Sequence, residues 1–274
     1  MPLRVLSLFS GIGGFDLACG WAGMEIVGQV EIDPFCNKVL AKHWPNVKRM
    51  EDIKNVKGKE FGQIDLICGG PPCQPASVAG KQRGKADDRW LWPEAIRLLS
   101  TIQPTWAVFE NPTGLLSLER SVVFRLLLSE MENEGYEVWS VIIPACSVKA
   151  PHQRDRIWII GYSEHNRCNR KAIPIQLRES QQKSAMPSGT NCNTASKWWN
   201  EPWPEVAQRL CKLDDGVPTR LVGYLGITKE HLKRRNGHQA QKIKAFGNAV
   251  VPQVAYQIMR AIVIADHKTK RNPQ

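Results

Sequence analysis

No apolar run in this chain of 274 residues is long enough to cross a membrane; the longest near its C-terminal end, Ala261-Ile262-Val263-Ile264-Ala265, is a helix segment. The opening residues, Met1-Pro2-Leu3-Arg4-Val5-Leu6-Ser7-Leu8-Phe9-Ser10, run into a strand and a glycine turn without a signal-peptide cleavage pattern. Eight cysteines are few for the length and irregularly spaced, which argues against a disulfide scaffold and for a reduced, intracellular protein. Paired C-x-x-C spacing is missing too. His165, Cys168, Cys192 and Cys211 could be drawn into a metal site on paper, but nothing in their spacing supports zinc, and no metal is expected.

Charge is also lacking, in one part of the chain. Residues 1–162 hold 18 Lys and Arg against 18 Asp and Glu, so this stretch is neutral. Residues 163–244 hold 15 against 7, and residues 245–274 hold 4 against 1, so the net +11 lies entirely beyond the balanced region. A basic segment attached to a neutral one points to a polyanionic partner such as nucleic acid, the alternative being a merely solvated surface. Apolar and charged fractions, 42% and 23%, are ordinary for a globular protein.

Apolar strands alternate with amphipathic helices through the neutral part. The pattern predicts strands at Val5–Phe9, Glu25–Glu31, Ile64–Cys68, Trp106–Phe109, Tyr136–Ile142 and Arg156–Gly161. Helices are predicted at Phe15–Trp21, Pro34–His43, Trp92–Ser100 and Ser121–Glu134. Such alternation implies an α/β fold with a parallel sheet covered on both faces. From about 163 to 200 the periodicity fails, and Ser184–Lys197 reads as loop. A last amphipathic helix, Pro252–Asp266, needs an apolar surface, and the neutral domain offers one.

Two stretches carry chemistry. Gly69-Gly70-Pro71-Pro72-Cys73-Gln74-Pro75 follows an apolar strand, and its prolines stiffen the loop that bears a cysteine. Phe9-Ser10-Gly11-Ile12-Gly13-Gly14 follows the first strand and opens the first helix, where free N–H groups and absent side chains let a ligand approach. That glycine turn could serve a dinucleotide, an adenosyl cofactor, or tight packing alone. Its G-x-G-G spacing departs from the G-x-G-x-x-G that seats a pyrophosphate, which leaves a nicotinamide oxidoreductase poorly supported. Glu31, ending the second strand, is placed to take a ribose diol, and Asp52 to reach an adenine edge. Each also reads as a helix-start or surface residue.

Together these residues resemble the DNA (cytosine-5)-methyltransferase family of bacterial or phage type. Phe9-Ser10-Gly11-Ile12-Gly13-Gly14 resembles its first motif, and Pro71-Pro72-Cys73-Gln74-Pro75-Ala76-Ser77 its catalytic loop. Phe109-Glu110-Asn111 resembles the glutamate motif, Gln153-Arg154-Asp155-Arg156 the Q-x-R-x-R motif, and Gly247-Asn248-Ala249-Val250-Val251-Pro252 the last one, all in the family's order. The resemblance implies a Rossmann-like methyltransferase fold with a mixed sheet and helices on both faces. It implies a catalytic and cofactor-binding domain at 1–162, a small target-recognition region at 163–240, and a segment at 241–274 that returns to the catalytic domain. The usual E-N-V is Glu110-Asn111-Pro112 here, so Pro112 restricts the loop beyond the carboxylate.

By the same resemblance the cofactor is S-adenosyl-L-methionine, leaving as S-adenosyl-L-homocysteine. Its contacts are expected from Phe9, Gly11, Gly13, Gly14, Glu31, Ile32, Asp52, Ile53, Pro71, Leu91, Asn248 and Val250. Cytosine C5 is too weak a nucleophile to take a methyl group unaided. A Cys73 thiolate adding at C6 makes the ring enamine-like and activates C5. Glu110 is expected to hold the exocyclic amine and N3 as the acid. Arg154 and Arg156, two apart on one strand face, could reach O2 or a phosphate, or form surface salt bridges. The base must be flipped out of the duplex to be reached.

Double-stranded DNA is the expected partner, with Ser77, Gln82, Arg83 and Lys85 on a lid over it, and Lys233, Arg234 and Arg235 along the phosphates. Residues 184–200 are candidates for reading the groove, while Trp198, Trp199 and Trp203 read as packing. A monomer in the cytoplasm of a bacterial cell is expected, bacterial or phage-encoded, with a cognate restriction endonuclease as a candidate companion. Methylation of cytosine in RNA is the enzymatic alternative. A catalytically silent DNA-binding relative is a rival that Cys73, Glu110 and Asn248 argue against.

Overall fold

The structure, a computed structural model, describes residues 1–72, 90–148, 150, 153–163, 241, 244–245 and 247–271. Strand β1 (Arg4–Leu8) lies inside the sheet, with β2 (Glu25–Val30) parallel on one side and β4 (Leu66–Gly69) parallel on the other. Beyond β2 comes the short β3 (Lys48–Met50), and beyond β4 comes β5 (Trp106–Pro112), both also parallel. Of the described strands only β7 (Asp155–Tyr162) is reversed. It runs antiparallel to β5, and β6 (Glu137–Pro144) antiparallel to β7, giving the order β3-β2-β1-β4-β5-β7-β6.

The sheet is therefore mixed, as the family resemblance implied, and not wholly parallel, as alternation alone suggested. Only residues 145–154 separate β6 from β7, with a 3-10 turn at Ala145–Val148. A parallel crossover needs about a dozen residues or more, usually a helix. The reversal has a functional effect, because it pairs Arg156 with Pro112 and brings the start of β7 to the C-terminal end of β5.

Alternate side chains of the sheet feed two cores. Leu6, Leu8, Ile67, Ala107 and Phe109 join one, covered by α3 (Trp92–Ile102) and α4 (Val122–Asn133) through residues such as Trp92, Leu98, Leu127 and Met131. Val5, Leu66, Cys68, Val108 and Trp158 join the other. That face is covered by α1 (Gly14–Trp21) and the C-terminal helix α5 (Pro252–Arg271), with Phe15 and Ala18 meeting Ala255, Ile258 and Met259. Trp21 and Tyr256 meet edge to face at 6.1 Å, so the late helix seats on the first one. Helix α2 (Pro34–His43) starts where the sequence places it: the Asp33 carboxylate accepts from Phe35 N and Cys36 N, and Pro34 follows. Among the described residues no helix is long and apolar enough to cross a membrane.

Candidate active site

A cavity of about 350 Å³ opens where the parallel strands end. Ligand crevices in such sheets form at this edge, because strand ends and helix N-termini converge there. Phe9 ends β1 with φ 51°, a left-handed turn unusual for a non-glycine residue, and it lines the cavity with Gly11 and Gly14. Gly13 does not line it. With φ 87° it forms the N-cap of α1, and the space beside its Cα belongs to Trp44 and Leu40. Gly14 is packed from the far end of the chain: a Cβ there would lie 2.6 Å from Val250 Cγ1 and 3.0 Å from Val250 O.

Glu31 sits at the end of β2 with both carboxylate oxygens engaged. Oε2 accepts from Gly11 N at 2.6 Å and Oε1 from Asp33 N at 2.7 Å. Each oxygen keeps a second lone pair, so a diol could still donate to it. Ile32, 70% exposed, Leu91, Asn248 and Val250 also line the cavity. Asp52 and Ile53 do not. The Asp52 carboxylate accepts from Lys54 N at 3.0 Å at the head of a 3-10 turn, and Ile53 is buried in the core. At the β4 end Pro72 lines the cavity, while Pro71 turns its carbonyl to accept from Asn111 Nδ2 at 3.1 Å. Cys36 lies in the wall as well. Burial first, then Glu31 and Asp33, push its thiol up to about 12, so it stays protonated and is no nucleophile.

Glu110 reaches the same cavity from β5 and is 8% exposed. Burial raises its pKa above the ordinary carboxylate value, and the nearby charges of Arg156 and Arg154 only partly oppose this. Arg156 Nε lies 2.8 Å from Oε1. The other oxygen, Oε2, faces Gly70, where a Cβ would lie 3.5 Å away. A carboxyl so placed holds a proton more readily than an exposed one.

Arg154 behaves differently from the strand-face pair that the sequence predicts. It precedes β7 with φ 40°, so the two-residue alternation does not reach it. Its Nη2 donates to Gly247 O at 2.7 Å and Ala249 O at 2.9 Å, beside the cavity wall formed by Asn248 and Val250.

Cys73, Ser77, Gln82, Arg83, Lys85, Lys233, Arg234 and Arg235 lie outside the described residues, as do the tryptophans and the paper metal set at 164–211. So does nearly all of 163–240. Cys73 directly follows Pro72 in the chain.

Sequence reasoning missed two placements near the cavity. Lys244, which its place in the C-terminal basic set marks in sequence as a candidate phosphate contact, lines it and pairs with Asp33 at 3.6 Å. Asp16, wholly buried in the first turn of α1, accepts from Ser7 Oγ at 3.0 Å and Gln29 Nε2 at 2.8 Å. Burial lifts its pKa to about 6 against these hydrogen bonds. A lone aspartate in a helix's first turn gives no sequence signal of burial.

Residues 3–207 match the family described as C-5 cytosine-specific DNA methylase. The chain is similar to the type II methyltransferase M.FnuDI of Fusobacterium nucleatum, 33% identical over 182 residues, which is 66% of this chain and 53% of that protein. It is 35% identical over 167 residues to the orphan methyltransferase M.Rho11sI of Bacillus phage rho11s, covering 59% of this chain and 33% of that one. A crystal structure assigned as a DNA modification methyltransferase encoded within an E. coli prophage superposes with a TM-score of 0.51 at 29% identity, over 59% of this chain and 47% of that chain. The chain spans about half or less of the length of these relatives.

Proposed function

Because the chain belongs to the C-5 cytosine-specific DNA methylases, we propose that it transfers a methyl group from S-adenosyl-L-methionine to C5 of a flipped-out cytosine in double-stranded DNA. The observation that carries this reading is Glu110: a buried carboxyl held above its ordinary pKa and paired with Arg156, in the wall of the cavity that the glycine turn closes.

The residues present fit the cofactor. The glycine turn brings backbone to the cavity wall at Gly11 and Gly14, Glu31 keeps lone pairs for a diol, and Ile32, Leu91 and Val250 give apolar walls for a ring. Phe9, Gly11, Gly14 and Asn248 complete that set. When bound, the cofactor supplies an electrophilic methyl group. The chain's own residues prepare the base. The Cys73 thiolate adds to C6 while Glu110, held in place by Arg156, gives a proton or a hydrogen bond to N3, so that electron density reaches C5. After C5 gains the methyl group, it loses its proton and the thiolate leaves C6, which restores the aromatic ring.

A monomer acting in the cytoplasm of a bacterial cell, with or without a restriction endonuclease cutting the same site, completes the reading. The test is a long duplex carrying 5-fluorocytosine throughout, incubated with protein and cofactor. Fluorine blocks loss from C5, so the wild type should form a Cys73 adduct that survives denaturation, and Cys73→Ser should form none. A protein that methylates ordinary DNA yet leaves no adduct would overturn the mechanism.

A further inference from the structure

We propose that Arg154 is a positioning residue that joins the cofactor wall to Glu110, rather than a group that touches base or phosphate. The proposal rests on the methyltransferase reading above. Two observations carry it. The guanidinium is spent on the chain itself, with one nitrogen donating to both Gly247 O and Ala249 O, the carbonyls on either side of Asn248. Asn248, Ala249 and Val250 are themselves cavity wall, so these bonds set the shape of the surface the cofactor meets. The same guanidinium also acts on Glu110, opposing the effect of burial together with Arg156.

The arrangement is costly to maintain. Arg154 holds a φ of 40°, and its Nε is buried with no hydrogen-bond partner among the described residues. A side chain free to swing toward DNA would expose that Nε to water. One terminal nitrogen makes both bonds, its two hydrogens fixed in the guanidinium plane, and a lysine, a point donor on a flexible stem, does not hold them so. The charged groups acting on Glu110 among the described residues are Arg156 and Arg154, both near the start of β7, while Gly70 faces it from the end of β4.

The two functions of Arg154 separate by substitution. Arg154→Lys keeps the charge and loses the planar donor group, whereas Arg154→Met keeps an apolar stem and loses both. Titration calorimetry with S-adenosyl-L-homocysteine should show affinity falling about tenfold in each, the scale of lost charge-assisted hydrogen bonds. The Glu110 carboxyl can be followed by its infrared stretch, with Glu110→Gln as the subtraction blank. Its titration should move to higher pH in Arg154→Met, because a cation that lowered it is gone, and should stay near wild type in Arg154→Lys. A residue that merely supports the fold would not separate the two readouts in this way.

Wild-type affinity for S-adenosyl-L-homocysteine in both variants overturns the proposal, and so does an unmoved Glu110 titration in Arg154→Met. Loss of the cooperative melting transition in both variants also overturns it, by making Arg154 a folding residue only. A wild type that binds no S-adenosyl-L-homocysteine instead defeats the methyltransferase reading itself.

Discussion

Glu110 and Asp16 are both buried carboxylates held above their ordinary pKa, yet they differ in what opposes burial. Glu110 faces two guanidinium groups, whereas Asp16 has only the neutral donors Ser7 and Gln29. Asp16 therefore carries a stability cost once ionised. Its folded pKa, about 6, exceeds the ordinary value of 3.8, so its contribution is complete below that lower value and is lost as pH rises through about 6. Asp16→Asn, neutral throughout, should gain on the wild type by roughly 2 kcal/mol between pH 4 and pH 8. Urea unfolding at several pH values checks this, and a parallel pH dependence in the two proteins refutes it. At this scale the sequence was informative where a motif names a residue, as with Glu110, and silent where burial alone makes one unusual. The turn at Arg154 was equally hidden, because nothing in Gln153-Arg154-Asp155 marks a positive φ.

The elements were largely legible, and the failures have physical causes. Helix α2 was bounded by Asp33-Pro34 and ends at the predicted His43. Strand β3 is three residues long with no buried side chain, too short and too polar to show a period. The reversal of β7 depends on a missing helix between β6 and β7, not on any residue within the strands. One contact between distant elements can be tested directly. Gly14→Ala adds helix propensity worth up to about 1 kcal/mol, but it places a Cβ 2.6 Å from Val250 Cγ1. Overpacking at roughly 1–3 kcal/mol should win, so the variant should be less stable and bind S-adenosyl-L-homocysteine several-fold more weakly. Gly20→Ala on the same helix meets nothing within 4 Å and is the control; it should be neutral or stabilising. Equal effects of the two substitutions would show that Val250 yields freely.

Over the whole molecule, chemistry and charge are divided: the described cavity belongs mainly to the neutral stretch, and the cationic excess lies at 163–274. If that excess grips phosphates, DNA affinity should fall steeply with salt. Neutralising Lys233, Arg234 and Arg235 together should reduce the slope of log affinity against log salt by up to about 3, and should do so alike for a cognate and a scrambled duplex. An unchanged slope in filter binding over a salt series would make these residues solvated surface. The architecture also sets an order of assembly. Val250 packs on Gly14, and α5 packs on α1, across more than two hundred residues of intervening chain. A ribosome releases the glycine turn early and its packing partner late, and domains form as the chain emerges. The cavity at the strand ends is thus among the last features a nascent chain can complete, so a polypeptide stalled before Val250 would carry the motif loops and still lack a wall of the pocket.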